Sequence, residues 1–210
     1  TTVGNVSGMK CYRGGTPTVF EGLKPDTTST KGTKMVGIIN REPHVTPKIM
    51  RTFYINAINQ AKDSIHIINP YFTLIPSVTK ALTRAIRRGV KVEIMLSSKS
   101  DIPLTPDCAL YQAHKLMKRG AKIWLYKPGF HHSKIMMVDG RYCTVGSTNL
   151  DARSLKCDFE ENAVIVDKNT TQELDDMFWR DKQQSFQLTD ETWNEFRTGW
   201  QKFRGLFAQL

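Results

Sequence analysis

Along this chain the apolar residues first settle into a pattern at residue 35, where Met35, Val36, Ile38 and Ile39 form a short run that predicts a strand. Residues 1–33, rich in Thr, Gly and Pro, show no sustained period and read as an irregular lead-in or linker. Thr46 followed by Pro47 offers a helix cap and a first-turn proline, and Ile49, Phe53, Ala57 and Ala61 recur at helical spacing, predicting a helix to about Lys62. Ser64 to Ile68 is a second apolar run, ending in Asn69-Pro70-Tyr71-Phe72. A helix from Ser77 to Arg88 stops at Gly89 and a strand spans Val90 to Leu96. A helix from about Pro106 to Arg119 stops at Gly120, and a strand spans Lys122 to Tyr126. Strand, helix closed by Arg-Gly, and strand again is the order of parallel units. The fold class is therefore α/β, a layered mixed β-sheet flanked by helices.

Past residue 130 the pattern changes. Ser133 to Val138 and Arg141 to Val145 are apolar strands separated by Asp139-Gly140, a dipeptide that favours a two-residue hairpin turn, and Phe159 to Val166 is a further strand. Two helical stretches follow, roughly Thr170 to Gln184 and Asp190 to Phe207. In the second, Trp193, Phe196, Trp200, Phe203 and Phe207 fall on one face at spacings of three and four. That stripe predicts packing on the core or, with Arg197, Lys202 and Arg204 beside it, a helix facing anionic lipid. The expected organisation is a lead-in over 1–33, an α/β core over 34–167, and a C-terminal helical appendage over 168–210 that packs on the core or faces a membrane.

Composition narrows the class. With 40% hydrophobic and 24% charged residues, a chain of 210 can bury a sizeable core and does not have the composition of a disordered polyelectrolyte. No apolar run approaches the roughly 18 residues of a membrane span, and Thr1 to Gly4 shows no leader pattern, so neither a span nor a secretion signal is expected in this chain. Cys11, Cys108, Cys143 and Cys157 lack the paired spacings of a zinc site and are too few to staple the domain, so they read as reduced. The net charge of +10 points to an anionic partner, nucleic acid or anionic lipid. That charge is uneven: residues 79–127 hold 11 basic and 3 acidic side chains, and residues 158–195 hold the reverse, 3 and 11.

The chemistry is concentrated between residues 132 and 161. His132, Lys134, Asp139, Gly146, Ser147 and Asn149 stand in the pattern HxK, four residues, D, six residues, GSxN. Chance would produce such a set in a chain of this length on the order of a few times in a million. Singly, each has a plainer reading: a polar strand start for His132, a surface cation for Lys134, a helix cap for Asn149. Jointly they describe an anion site. Residues two apart on a strand share a side, so His132 and Lys134 project together, and the hairpin returns residues 146–149 to the start of the first strand. Glycine at 146 permits close approach, and the segment that follows is expected to open a helix whose N-terminus favours phosphate.

A neutral imidazole is nucleophilic near neutral pH, because the ordinary histidine pKa is about 6.5. His132 can thus attack phosphorus while Lys134 neutralises the non-bridging oxygens and Ser147 and Asn149 donate hydrogen bonds to them. A carboxylate would hold the other ring nitrogen. Glu160 and Glu161 face opposite sides of their strand, and register decides between them. Asp139, at the turn, is expected to be structural. No carboxylate or cysteine at ligand spacing accompanies His131 and His132, so no metal site is expected; His44, His66 and His114 read as structural or surface residues.

The HxK and GSxN set resembles the phospholipase D superfamily. Asn69-Pro70-Tyr71-Phe72, Gly129-Phe130-His131-His132-Ser133-Lys134 and the run from Gly146 to Ser154 resemble the C-terminal half of bacterial cardiolipin synthases, over about Met35 to the end of the chain. The resemblance implies a phospholipase D-like fold, a covalent phosphohistidine on His132, Glu161 as the supporting carboxylate, and no metal ion or other cofactor. It also implies transfer of a phosphatidyl group between phosphatidylglycerol molecules with release of glycerol, at the cytoplasmic side of the bacterial inner membrane. Members of the superfamily join two such motifs at one site, and this chain carries one. The second motif is then expected from another half or an identical subunit. Two alternatives remain open: a single-motif homodimeric nuclease acting on nucleic acid, and a non-catalytic half serving assembly or docking on lipid.

Overall fold

The computed structural model of the chain describes residues 34–99 and 105–195. Eight strands form one sheet: β1 Met35–Arg41, β2 Ser64–Ile68, β3 Lys91–Ser97, β4 Lys122–Tyr126, β5 Ile135–Val138, β6 Tyr142–Gly146, β7 Glu160–Val166 and β8 Ser185–Gln187. Their order across the sheet is β1-β7-β6-β5-β2-β3-β4-β8. The three neighbouring strands β2, β3 and β4 pair in parallel, and every other pairing is antiparallel. The parallel pairs are the two connected through helices, α2 Pro76–Arg87 and α3 Thr105–Met117, each followed by a glycine in the left-handed region, Gly89 at φ +89° and Gly120 at φ +109°.

Alternation along the strands divides the core between two faces. Ile65, Ile67, Val92, Ile94, Met136 and Val138 pack in one cluster with α1 Ile49–Gln60, α2, α3 and the short α4 Ala152–Lys156. Ile68, Met95, Ile135, Met137 and Cys143 pack on the other face around Phe178 of α5 Lys168–Gln183. The mixed α/β sheet matches the fold class read from the sequence.

One expectation changes. Thr46 does not cap α1: its hydroxyl accepts from the Glu42 amide at 2.8 Å and donates to the Asn40 carbonyl at 3.0 Å, which spends it on the preceding turn, and the helix begins at Ile49. Beyond residue 167, α5 covers one face of the sheet and β8 pairs with β4 at its edge, with Leu188 buried beyond it. Of the aromatic stripe, Trp193 stacks on His114 of α3 at 4.3 Å and packs against the core, while Phe196, Trp200, Phe203 and Phe207 lie outside the described residues, as does Cys11.

Candidate active site

β2 ends at Ile68, β5 begins at Ile135 and β6 ends at Gly146, so three neighbouring strands bring Asn69, His132 and Ser147 to one edge of the sheet. In open α/β sheets that edge, at the carboxyl ends of the parallel strands, is where crevices form. The opposite end of the β5–β6 hairpin is closed by Asp139 and Gly140 at φ +53° and +58°, the backbone that a two-residue turn needs. The Asp139 carboxylate accepts from the amides of Lys62, Asp63 and Ser64 at 2.8–2.9 Å, and its own amide donates to the Ser64 carbonyl at 2.9 Å. Asp139 thus fastens the hairpin to the start of β2, a strand's length from His132.

Lys134 is buried, and its ammonium donates to the His132 carbonyl at 2.8 Å. The ammonium also lies 5.9 Å from the centre of the Tyr71 ring, which meets the His132 ring edge-on at the same separation, 5.9 Å. Phe130 packs on His132 at 5.0 Å and near Tyr71 at 6.0 Å. An exposed imidazole and a buried ammonium therefore share one aromatic neighbour.

The return loop is shaped by two asparagines. Asn162, fully buried in β7, uses its whole carboxamide: Nδ2 donates to the Tyr54 hydroxyl at 3.1 Å and to Thr144 Oγ1 at 3.0 Å, and Oδ1 accepts from the Thr148 hydroxyl at 2.7 Å and the Thr148 amide at 3.3 Å. Burial pushes the Tyr54 hydroxyl well above the usual tyrosine range, so it stays protonated within this network. Gly146 stands opposite Asn162, and a Cβ there would collide with the Asn162 carboxamide and the Glu161 carbonyl. The glycine is required by this close approach rather than by an anion. From β2, Asn69 Oδ1 accepts from the Leu150 amide at 3.1 Å and Nδ2 donates to the Thr148 carbonyl at 3.4 Å. Asn149 lies between these anchors, and its buried Oδ1 accepts no hydrogen bond among the described residues.

The two candidate carboxylates serve Ser147 differently. Glu160 is buried, stands opposite Arg41 in the β1–β7 register, and accepts the Ser147 hydroxyl hydrogen. Glu161 is exposed, and its backbone amide donates to Ser147 Oγ at 3.0 Å while its carbonyl accepts from the Ser147 amide at 2.9 Å. The Ser147 hydroxyl is thereby already committed to a carboxylate. The helix expected to offer phosphate its N-terminus is α4, five residues long, and Asp151 caps it by accepting from the Ser154 amide at 2.7 Å. That end carries a carboxylate in place of a free anion site. Among the described residues no cluster of three His, Cys, Asp or Glu could hold a metal ion, and no helix is long and apolar enough to cross a membrane.

Asn162 and Asn69 act on the site without belonging to the HxK–GSxN pattern. Their signal in the sequence is an amide residue within or directly after an apolar strand run, where burial demands that every hydrogen bond be made.

The family model for "Cardiolipin synthase, PLD-like domain" matches residues 54–182. A cardiolipin synthase of Listeria welshimeri is 36% identical over 180 residues, covering 86% of this chain and 37% of the relative. Cardiolipin synthase 1 of Staphylococcus epidermidis is 34% identical over 171 residues, covering 81% and 35%. The chain thus spans little more than a third of the curated relatives it matches. Among solved structures, the phospholipase D family member Nuc of Salmonella typhimurium superposes with a TM-score of 0.65 at 21% identity, over 75% of this chain and 100% of that one. A phosphatidylserine synthase of Haemophilus influenzae gives 0.64 at 16% identity, over 84% and 46%. With more than half of its residues inside the matched model and its sheet superposing on phospholipase D folds, the chain belongs to the PLD-like domain family of cardiolipin synthases.

Proposed function

We propose that this chain supplies one half of a phosphatidyltransferase site and acts as cardiolipin synthases do, moving a phosphatidyl group from one phosphatidylglycerol to a hydroxyl of another. The observation that carries the reading is the meeting of an exposed His132 ring and a buried Lys134 ammonium on Tyr71, beside the loop that presents Ser147 and Asn149. In the first step a ring nitrogen of His132 forms a bond to phosphorus as the bond to the glycerol oxygen breaks, and the departing oxygen takes a proton from an acid in the second motif. In the second step the acceptor hydroxyl gives its proton back to that group and displaces His132. Lys134 offsets the charge that grows on the non-bridging oxygens, and Asn149 donates to the same oxygens. Glu161 takes the part of the carboxylate that steadies the imidazolium, as the family resemblance implies, while Glu160 accepts from Ser147. For Ser147 to donate to phosphate, its hydroxyl must exchange Glu160 for substrate.

The second motif comes from another half of a longer polypeptide or from a second copy of this chain. A phospholipid substrate implies work at a membrane, and the cytoplasmic side is carried over from the family resemblance alone. The test uses the intact protein with both motifs present and phosphatidylglycerol vesicles, reading glycerol release together with acid-labile, base-stable phosphate on His132. Full turnover by His132→Ala would refute the mechanism.

The single HxK–GSxN set in 210 residues favours a second reading, a symmetric dimer that cleaves nucleic acid. Cleavage of nucleic acid without glycerol release, by a chain that elutes as a dimer, would replace the lipid substrate with this one.

A further inference from the structure

The loop that carries His132 is tied down one residue earlier. His131 Nε2 lies 3.0 Å from Asp181 Oδ2 of α5, with the two side chains 11% and 18% exposed. The His131 ring packs edge-on to Tyr126 of β4 at 4.9 Å. Its backbone amide donates to Ser97 Oγ at 3.1 Å, and that hydroxyl donates onward to the Gly129 carbonyl at 3.1 Å. His131 is gripped through its ring from α5 and through its backbone from β3, while the adjacent His132 ring meets Phe130 and Tyr71. Two neighbouring imidazoles therefore face different partners: the first fixes the chain, the second is presented.

Asp181 can serve as an anchor because α5 is itself pinned. Asp175 Oδ1 lies 2.7 Å from His66 Nδ1 of β2, and both side chains are nearly buried. Phe178, fully buried, stacks on the His66 ring at 5.0 Å. Lys182 donates to Glu93 of β3 at 2.9 Å and lies over the Trp124 and Trp179 rings at 4.3 and 4.0 Å. Positions 175, 178 and 182 recur at three and four, so one helix face is bonded to two sheet strands through these side chains. Sliding the helix by a residue would break every one of these contacts, which leaves Asp181 a single place to stand.

We infer that His131 and Asp181 form a positioning pair, through which α5 sets the ring of His132 for attack on phosphorus. The inference rests on the reading of His132 as nucleophile. A reacting atom displaced by about 1 Å loses on the order of 100-fold in rate, so a bond one residue from the nucleophile is well placed to act on turnover rather than on binding.

The test uses the intact protein with both motifs present and compares substitutions of similar bulk that keep or remove the bond. His131→Gln places an amide donor where Nε2 stood, and His131→Met does not; Asp181→Asn keeps an acceptor, and Asp181→Leu does not. The Met and Leu variants are expected to lose about 10- to 100-fold in kcat with apparent KM within about twofold, and Gln and Asn to stay within about threefold of the parent. In the chain itself, the ring signals of His132 in nuclear magnetic resonance should shift in the Met variant and return in the Gln variant. Parental kcat in the Met and Leu variants, or an equal fall in Gln and Met, would overturn the pairing. If a variant does not fold, Ser97→Ala releases the same loop from the β3 side, and the same fall in kcat is expected; parental kcat there overturns the proposal. His132→Ala run alongside separates the two readings. Retained turnover in it removes the nucleophile and this proposal together, whereas an inactive His132→Ala beside a fully active His131→Met removes the pairing alone.

Discussion

Asn69 accepts a hydrogen bond from the Leu150 amide at 3.1 Å, which ties the end of a central parallel strand to the far side of the return loop. Its amide group also donates to the Thr148 carbonyl at 3.4 Å, so the residues on both sides of Asn149 are held from β2. Asn69 is 2% exposed, and removing its side chain strands two buried backbone groups at a cost of about 1–3 kcal/mol each. Asn69→Ala is expected to melt several degrees lower and to lose at least tenfold in kcat even at temperatures where it remains folded. Asn69→Asp, which keeps the acceptor for Leu150 and loses the donor to Thr148, should fall between Ala and the parent. Calorimetry beside steady-state rates checks both points.

Gly146→Ala meets the Asn162 carboxamide and the Glu161 carbonyl, neither of which is free to move. Asn162 is bonded to Tyr54, Thr144 and Thr148 at once, and the Glu161 carbonyl accepts from Ser147. Overpacking of this kind costs about 1–3 kcal/mol, and here it displaces the loop that presents Ser147 and Asn149. The variant should therefore lose both stability and turnover. Adding Asn162→Ala should not restore it, because the backbone carbonyl remains in the way and the network is lost. A Gly146→Ala variant as stable and active as the parent would show that the crowding does not matter.

Asp139 gives the opposite prediction. Its carboxylate binds three successive backbone amides at the start of β2, far from His132. Asp139→Ala should cost about 2–3 kcal/mol and leave kcat per folded molecule near the parent value, with Asp139→Asn in between. A large fall in kcat without a fall in melting temperature would give Asp139 a role in the chemistry.

What the sequence makes legible follows from whether the signal is local. The Asp139-Gly140 turn can be read because it needs two residues with positive φ, and Gly89 and Gly120 mark helix ends for the same reason. The strand alternation expected for His132 and Lys134 does not reach them, because both precede β5, which begins at Ile135, and their meeting on Tyr71 is a property of the loop. Asn162 is not readable either, because its partners Tyr54, Thr144 and Thr148 come from α1, β6 and the loop beyond, and an asparagine in a strand carries no local mark of four bonds. The same applies to β8, three residues whose strand character comes from the free edge of β4 rather than from any period of their own. The tie between His131 and Asp181 spans 50 residues and depends on how α5 docks, which no window of sequence contains.

Glu160 and Glu161 are adjacent in sequence and face opposite ways, which makes them a matched pair for substitution. Glu161→Gln should reduce kcat by about 100-fold if its carboxylate steadies the imidazolium, while leaving the melting temperature within about a degree or two. Glu160→Gln keeps an acceptor for Ser147 but removes the charge opposite the buried Arg41, so it should lower stability first and kcat less. The reverse ranking in kcat would move the supporting role to Glu160.

Glu93 links acid stability to the strut that carries Asp181. Burial pushes its carboxyl upward, but hydrogen bonds from Lys182 and Trp124 at 2.9 and 2.7 Å outweigh that and hold it below the usual glutamate range. A carboxyl depressed in the folded state stabilises fully above its unfolded pKa, about 4.3, and loses that contribution as pH falls through the lower folded value. Glu93→Gln should therefore be less stable than the parent by about 1–2 kcal/mol near neutral pH, with the gap closing below pH 4. Asp167 and Asp190, held low by Thr170 and Lys118, keep their own acid dependence in both proteins and cancel in the difference. Because Lys182 follows Asp181 on α5, the same variant should show some loss of kcat at neutral pH. A melting difference that stays constant from pH 7 to pH 3 would mean that the Glu93 charge does not hold the helix in place.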